Sequence, residues 1–184
     1  MNMELKILDF IQTLHIPILD KIMVWITSLG DAGMIWILLT AIFLIMPKTR
    51  RTGSIMLAAL LVQTILCNVV LKNLFARTRP YDVNMTIQLL VPKLQDFSFP
   101  SGHTSASFTV VSALYFAKDS LWKPALVLAC LIAVSRLYLY VHYPTDVLGG
   151  IILGILSGYA GYRIIAYIAK QKQRKNHAED QRIN

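Results

Sequence analysis

Lys72 with Arg79-Pro80, then Pro100-Ser101-Gly102-His103, then Ser135-Arg136 followed by His142 and Asp146, are the stretches of this chain whose side chains could do chemistry. Together they hold three cations, two histidines and one carboxylate. Fixed cations stabilise the charge of a phosphoryl group in transfer, an imidazole serves as nucleophile or acid, and a carboxylate holds that imidazole in one tautomer. Phosphoryl transfer is the chemistry this set can perform. Charged side chains near hydrocarbon cost roughly 2.5 to 3.5 kcal/mol each on insertion scales, so their gathering at the ends of apolar segments marks a functional site.

Each stretch has local logic. Lys72 and Arg79 are seven residues apart, two helical turns, and share a face if one helix continues from about residue 54 to Pro80. Pro80 is predicted to end that helix, and Arg77 points elsewhere and is given no part. Pro100-Ser101-Gly102-His103 precedes an apolar helix, so its amides lie at a helix N-terminus, where unpaired donors and the helix dipole favour an anion. Gly102 lets the backbone approach closely. Pro144 suits the first turn of a last helix, leaving His142 just ahead of it and Asp146 inside its first turn. Taken singly, these residues have plainer explanations: snorkelling for Lys72 and Arg79, a helix cap for Ser101, a dipole contact for Asp146.

The elements that must position them are apolar. The chain has 184 residues, is 55% hydrophobic and only 15% charged, and its mean hydropathy is positive. That fits a single all-α membrane domain over residues 1–170 with a basic tail from 171 to 184. Apolar runs cover about 33–46, 54–75, 103–117, 122–141 and 147–169, and about 20 apolar residues span a bilayer. Residues 3–14 read as an interfacial amphipathic helix, and 17–29 as the rest of a kinked first crossing, so about six crossings are expected. No cleavable signal peptide is expected at the acidic, amphipathic start. Lys48, Arg50, Arg51, Lys118, Lys123 and the basic tail place their loops in the cytoplasm, both termini included, and the three stretches on the extracytoplasmic face.

The net charge of +8 is absorbed by these loops, so nucleic acid is not expected as a partner. Lys72, Arg77, Arg79, Lys93 and Arg136 resist the charge bias, which points to another purpose for them. The polar loop 81–99 is expected to border a site. Cys67 and Cys130 sit in apolar runs and read as small buried hydrophobes. Gly150, Gly154 and Gly158, four apart, form a close-approach stripe for packing inside the monomer or, alternatively, for a homodimer.

In that order and on one membrane face, Lys-x6-Arg-Pro, Pro-Ser-Gly-His and Ser-Arg-x5-His-x3-Asp resemble the three-part signature of the type 2 phosphatidic acid phosphatase superfamily, over residues 72–146. The resemblance implies that His142 attacks phosphorus, Asp146 orients it, His103 protonates the leaving oxygen and water then hydrolyses a phosphohistidine. It implies that Lys72, Arg79 and Arg136 hold the phosphate oxygens, with help from Ser101, the Gly102 and His103 amides, and Ser135. No cofactor or metal is implied, because fixed cations do the work of a metal ion. The substrate would be a lipid phosphate of the undecaprenyl pyrophosphate or phosphatidylglycerophosphate class. Two alternatives stay open: a non-catalytic lipid-phosphate binder or transporter, and a phosphotransferase whose acceptor is not water.

Overall fold

The structure, a computed structural model, describes residues 3–183, with side chains described for 3–176. Among the described residues every regular element is helical. Helix α1 (Met3–Gln12) is followed by α2 (Pro17–Leu29), which opens on Pro17 after an extended Ile16. A 3-10 turn at Asp31–Gly33, with Ala32 and Gly33 at positive φ, leads into α3 (Met34–Ile45). Helix α4 (Arg50–Thr64) runs into a π-helical segment, Ile65–Leu71, and then α5 (Lys72–Phe75). Next come the short α6 (Pro80–Val83), then α7 (Gly102–Phe116), α8 (Trp122–Tyr138) and α9 (Pro144–Ile183).

Helix α7 is the axis of the bundle, buried on all sides from Thr104 to Leu114. Its small polar residues satisfy one another and their neighbours there: Gln63 Nε2 donates to Ser105 Oγ at 2.6 Å, Trp36 Nε1 to Ser107 Oγ at 2.9 Å, and Ser112 Oγ to the Ile155 carbonyl at 3.0 Å. The glycine stripe of α9 lies against this helix. A Cβ at Gly154 would stand 2.7 Å from Phe108 Cβ, and one at Gly158 only 2.5 Å from Ser112 Cβ. The stripe is consumed inside the monomer, which leaves no surface on it for the alternative of a homodimer through Gly150, Gly154 and Gly158.

Two helical stretches, Arg50–Val83 and Pro144–Asn176, are long and apolar enough to cross a membrane, and α2 with α3, bent by 41°, make a third when taken together. Helices α7 and α8, at 15 and 17 residues, fall below the length of about 20 needed to span alone. Leu61, Val69, Ile152 and Leu156 are among the large apolar side chains turned outward, as lipid contact requires. Length and composition thus mark two or three crossings among the described residues, against the six expected. The start of α2 sits beside the end of α8, where Tyr138 Oη donates to Asp20 at 2.6 Å and Gln12 Nε2 donates to the Tyr138 carbonyl at 3.0 Å. Leu8 of α1 is fully buried in a cluster with Tyr81, Tyr138 and Tyr143 at that same end. The middle of α9 has already reached the other end, its Tyr162 ring stacked 5.9 Å from Phe116. So α1 and the end of α9 beyond Tyr162 lie at opposite ends of the bundle, because α1 docks its apolar face on the 138–143 segment.

The expected unbroken helix to Pro80 is also corrected. Ala76, left-handed at φ 40, stops it after Phe75, and Pro80 opens α6 instead of closing α5, its fixed φ suiting a first helical position. This break falls between Lys72 and Arg79, so the spacing of seven does not place them on one helical face.

Candidate active site

Lys72 and Arg79 nonetheless meet, through a residue that the sequence did not offer. Lys72 Nζ donates to Asp96 Oδ2, and Arg79 Nη2 donates to Asp96 Oδ1 at 2.6 Å, with Arg79 Nε on the Asp96 carbonyl at 2.8 Å. The cations are 7% and 2% exposed, whereas the Asp96 side chain keeps 51% of its surface. Burial raises the Asp96 carboxyl, but the hydrogen bond and charge of Lys72, with Arg79, outweigh it and bring the group down to about 2. Arg79 is fixed further by the Val141 carbonyl, 2.7 Å from Nη1.

His142 lies in the turn between α8 and α9, 1% exposed, with its Nε2 3.4 Å from Arg79 Nη1. Its Nδ1 is 3.4 Å from Asp146 Oδ2, too long and misaligned for a hydrogen bond, and has no other partner. Burial, opposed by Asp146 and reinforced by the charges of Arg79 and Arg136, pushes His142 down to about 3, so the imidazole is neutral and offers a lone pair. Asp146 is fully buried. Its Oδ2 accepts from Ser98 Oγ at 2.5 Å and the Tyr143 amide at 2.9 Å, and its Oδ1 from Arg77 Nη1 at 2.7 Å. Arg77, which sequence spacing left aside, is thus bound to the carboxylate beside His142. It also donates to Thr145 Oγ1 at 2.6 Å and to Glu4 Oε2 at 2.5 Å, and its guanidinium lies 3.9 Å over the Tyr143 ring.

His103 stands in the first turn of α7, its Nε2 2.9 Å from Asp31 Oδ1. Gly30 makes room for it, since a Cβ there would lie 2.8 Å from His103 Cδ2. Ser101 caps α7: its hydroxyl accepts from Thr104 Oγ1 at 3.0 Å, and its amide donates to the Asp146 carbonyl at 3.0 Å, tying the starts of α7 and α9 together. Gly102 backs onto Lys72, Nζ lying 3.6 Å from the position of a Cβ. Arg136, in the last turn of α8, is 2% exposed, donates to Thr27 Oγ1 and keeps Nε without a partner. Ser135 is not brought to the cluster, because its hydroxyl donates to the Ile132 carbonyl of its own helix at 2.6 Å.

Asp31, Arg77, Asp96 and Ser98 are therefore the partners that sequence missed. The surplus of cations on one face was a signal for Arg77, and the position of loop 81–99 a faint one for Asp96. Nothing in the sequence marked Asp31 or Ser98. A cavity of about 710 Å³ runs from Leu44, Leu57 and Leu61, between α3 and α4, to Lys72, Asp96 and His103. An apolar trough whose polar end is formed by Lys72, Asp96 and His103 can seat an amphiphile with its anionic head at that end.

The profile of the PAP2 superfamily matches residues 52–170. An undecaprenyl-diphosphatase from Sulfolobus acidocaldarius is 34% identical, over 89% of this chain and 78% of its own. Among solved structures, Aquifex aeolicus LpxE superposes with a TM-score of 0.77 at 28% identity, covering 89% of this chain and 96% of that one. A transmembrane PAP2-type phosphatidylglycerolphosphate phosphatase from Bacillus subtilis does so with a TM-score of 0.70 at 30% identity, covering 91% and 85%.

Proposed function

The chain belongs to the PAP2 superfamily, and from that premise we propose that it is a membrane lipid phosphatase working through a phosphohistidine, without a metal ion. The observation that carries this is the neutral, buried His142 with Nε2 beside Arg79, in a cluster whose other cations are Lys72 and Arg136. In the first displacement His142 Nε2 bonds to phosphorus as the phosphorus–oxygen bond to the lipid breaks, and His103 gives its proton to the departing oxygen. Asp146 steadies the Nδ1–H side of the ring as positive charge develops on it. Water then takes the phosphoryl group from His142, returning a proton to His103 and releasing inorganic phosphate. Lys72, Arg79 and Arg136 neutralise the equatorial oxygens in both steps, assisted by the first amides of α7 at Gly102 and His103.

Undecaprenyl diphosphate and phosphatidylglycerophosphate are the favoured substrates, supported by the relatives named above and by the apolar cavity. The site end is assigned to the extracytoplasmic face, since Lys48, Arg50, Arg51, Lys118 and Lys123 sit in the turns and helix ends at the far ends of α3, α4, α7 and α8. The test is phosphate release in detergent from undecaprenyl diphosphate, phosphatidylglycerophosphate and phosphatidic acid, with EDTA throughout. Turnover that survives EDTA and vanishes in His142→Ala is expected. Strict dependence on a divalent ion, or full activity in that variant, would sink the mechanism.

A further inference from the structure

Asp146 is a fully buried carboxylate whose task is to hold one face of His142, yet its own side chain has to be held first. Two donors, Ser98 Oγ at 2.5 Å and the Tyr143 amide at 2.9 Å, fix Oδ2, the oxygen nearer His142. Neither carries charge. The only cation bonded to Asp146 among the described residues is Arg77, 2.7 Å from Oδ1. A buried carboxylate without such a partner is strongly penalised and takes up a proton, which would leave it unable to support an imidazolium.

Arg77 is itself tightly placed. Left-handed Ala76 turns it back from α5 toward the start of α9. There it bonds Thr145, which flanks the carboxylate, and stacks on Tyr143, which precedes α9. Glu4 closes the ring, accepting from Arg77 Nη2 at 2.5 Å and from Thr145 by its amide at 3.1 Å and its hydroxyl at 2.6 Å. Helix α1 thereby reaches the carboxylate through one ion pair.

We propose that Arg77 is the positioning residue of the His142–Asp146 pair, and that Glu4 makes the amphipathic helix α1 part of the catalytic apparatus by locking Arg77 in place. Resting on the reading of His142 as nucleophile, this assigns Arg77 no contact with phosphate: its guanidinium faces Asp146, Thr145 and Glu4, while Lys72 and Arg79 hold the anion seat. A loose Asp146 should slow chemistry without weakening substrate binding, since its support of His142 matters most when charge develops on the ring.

The experiment compares wild type with Arg77→Gln, Arg77→Lys and Glu4→Gln, each purified in detergent. It measures kcat and KM for lipid phosphate and, separately, the affinity for inorganic phosphate by calorimetry. Loss of a charge-assisted contact to Asp146 predicts a kcat about 10- to 100-fold lower in Arg77→Gln, partial recovery in Arg77→Lys, and a smaller fall in Glu4→Gln. KM and phosphate affinity stay within about twofold of wild type in all three. An unchanged kcat in Arg77→Gln overturns the proposal, and so does parallel loss of phosphate affinity, which would mean collapse of the site. Wild type that binds phosphate but turns over no lipid phosphate would instead refute the enzymatic reading.

Discussion

Replacing Asp96 by Asn should make the enzyme bind everything better and work no faster. In the structure both oxygens of Asp96 sit on Lys72 and Arg79, the cations proposed to receive the phosphate, so a headgroup must evict this carboxylate before it can bind. A tethered competitor raises KM and the inhibition constant for phosphate by one common factor and leaves kcat alone, because Asp96 is already displaced in the complex. A fully buried pair of this kind is worth about 3 to 5 kcal/mol when broken, and an exposed pair about 0 to 1. Here the cations are buried but the Asp96 side chain is 51% exposed, which places the contact near the lower limit, at about 1 to 2 kcal/mol. That corresponds to a common factor of about 5 to 30.

The assay is steady-state release from one lipid phosphate in mixed micelles, with inorganic phosphate as inhibitor, on wild type and Asp96→Asn. Equal falls in KM and in the phosphate inhibition constant, with constant kcat, are expected. The variant should also lose about 1 to 2 kcal/mol of stability at neutral pH. The sign follows from the depressed carboxyl: lowered from 3.8 to about 2, Asp96 adds stability above pH 3.8 that is lost as pH falls through about 2. A tenfold drop in kcat at constant KM would refute the reasoning, since it would make Asp96 a participant in the chemistry.

Three further outcomes follow from particular contacts. His142, held neutral down to about pH 3 against an ordinary 6.5, is a group whose unfolded form binds the extra proton, so stability should fall by about 2 kcal/mol between pH 6.5 and 5. Thermal unfolding of His142→Gln should show that much less loss over the same interval; an identical slope would contradict the burial argument. Gly158→Val would place its first side-chain atom 2.5 Å from Ser112 Cβ and push α9 off α7, costing about 3 kcal/mol or more, read as a lowered melting temperature in detergent. Acid-stable, base-labile incorporation is not expected after quenching with a lipid carrying labelled terminal phosphate; an acid-labile label on wild type, absent from His142→Ala, is the expected signature of a phosphohistidine.

Much of the site was legible before any fold was known, for reasons that can be named. Ser101 and Gly102 announce a helix N-terminus, Pro144 announces another, and each pins a histidine or a carboxylate within a few residues of it. Such signals are local, and local backbone chemistry keeps its meaning in any tertiary setting. Apolar runs of bilayer length likewise declare a membrane bundle through composition alone. The spacing of seven from Lys72 to Arg79 failed because left-handed Ala76 ends the helix between them.

By itself, then, the sequence determined the class of fold, the family and which stretches could do chemistry, since motif spacing and hydropathy are properties of contiguous chain. Only the tertiary structure decided which charges meet. Asp96 reaches Lys72 across 24 positions, Arg77 reaches Asp146 across 69 and Asp31 reaches His103 across 72. Tertiary packing also bent α2 against α3 by 41° and docked α1 at the site end, on the cluster of Tyr81, Tyr138 and Tyr143. The physical reason is common to all of these. A contact between distant segments depends on how loops close and helices pack around α7, and no local propensity along the chain encodes that.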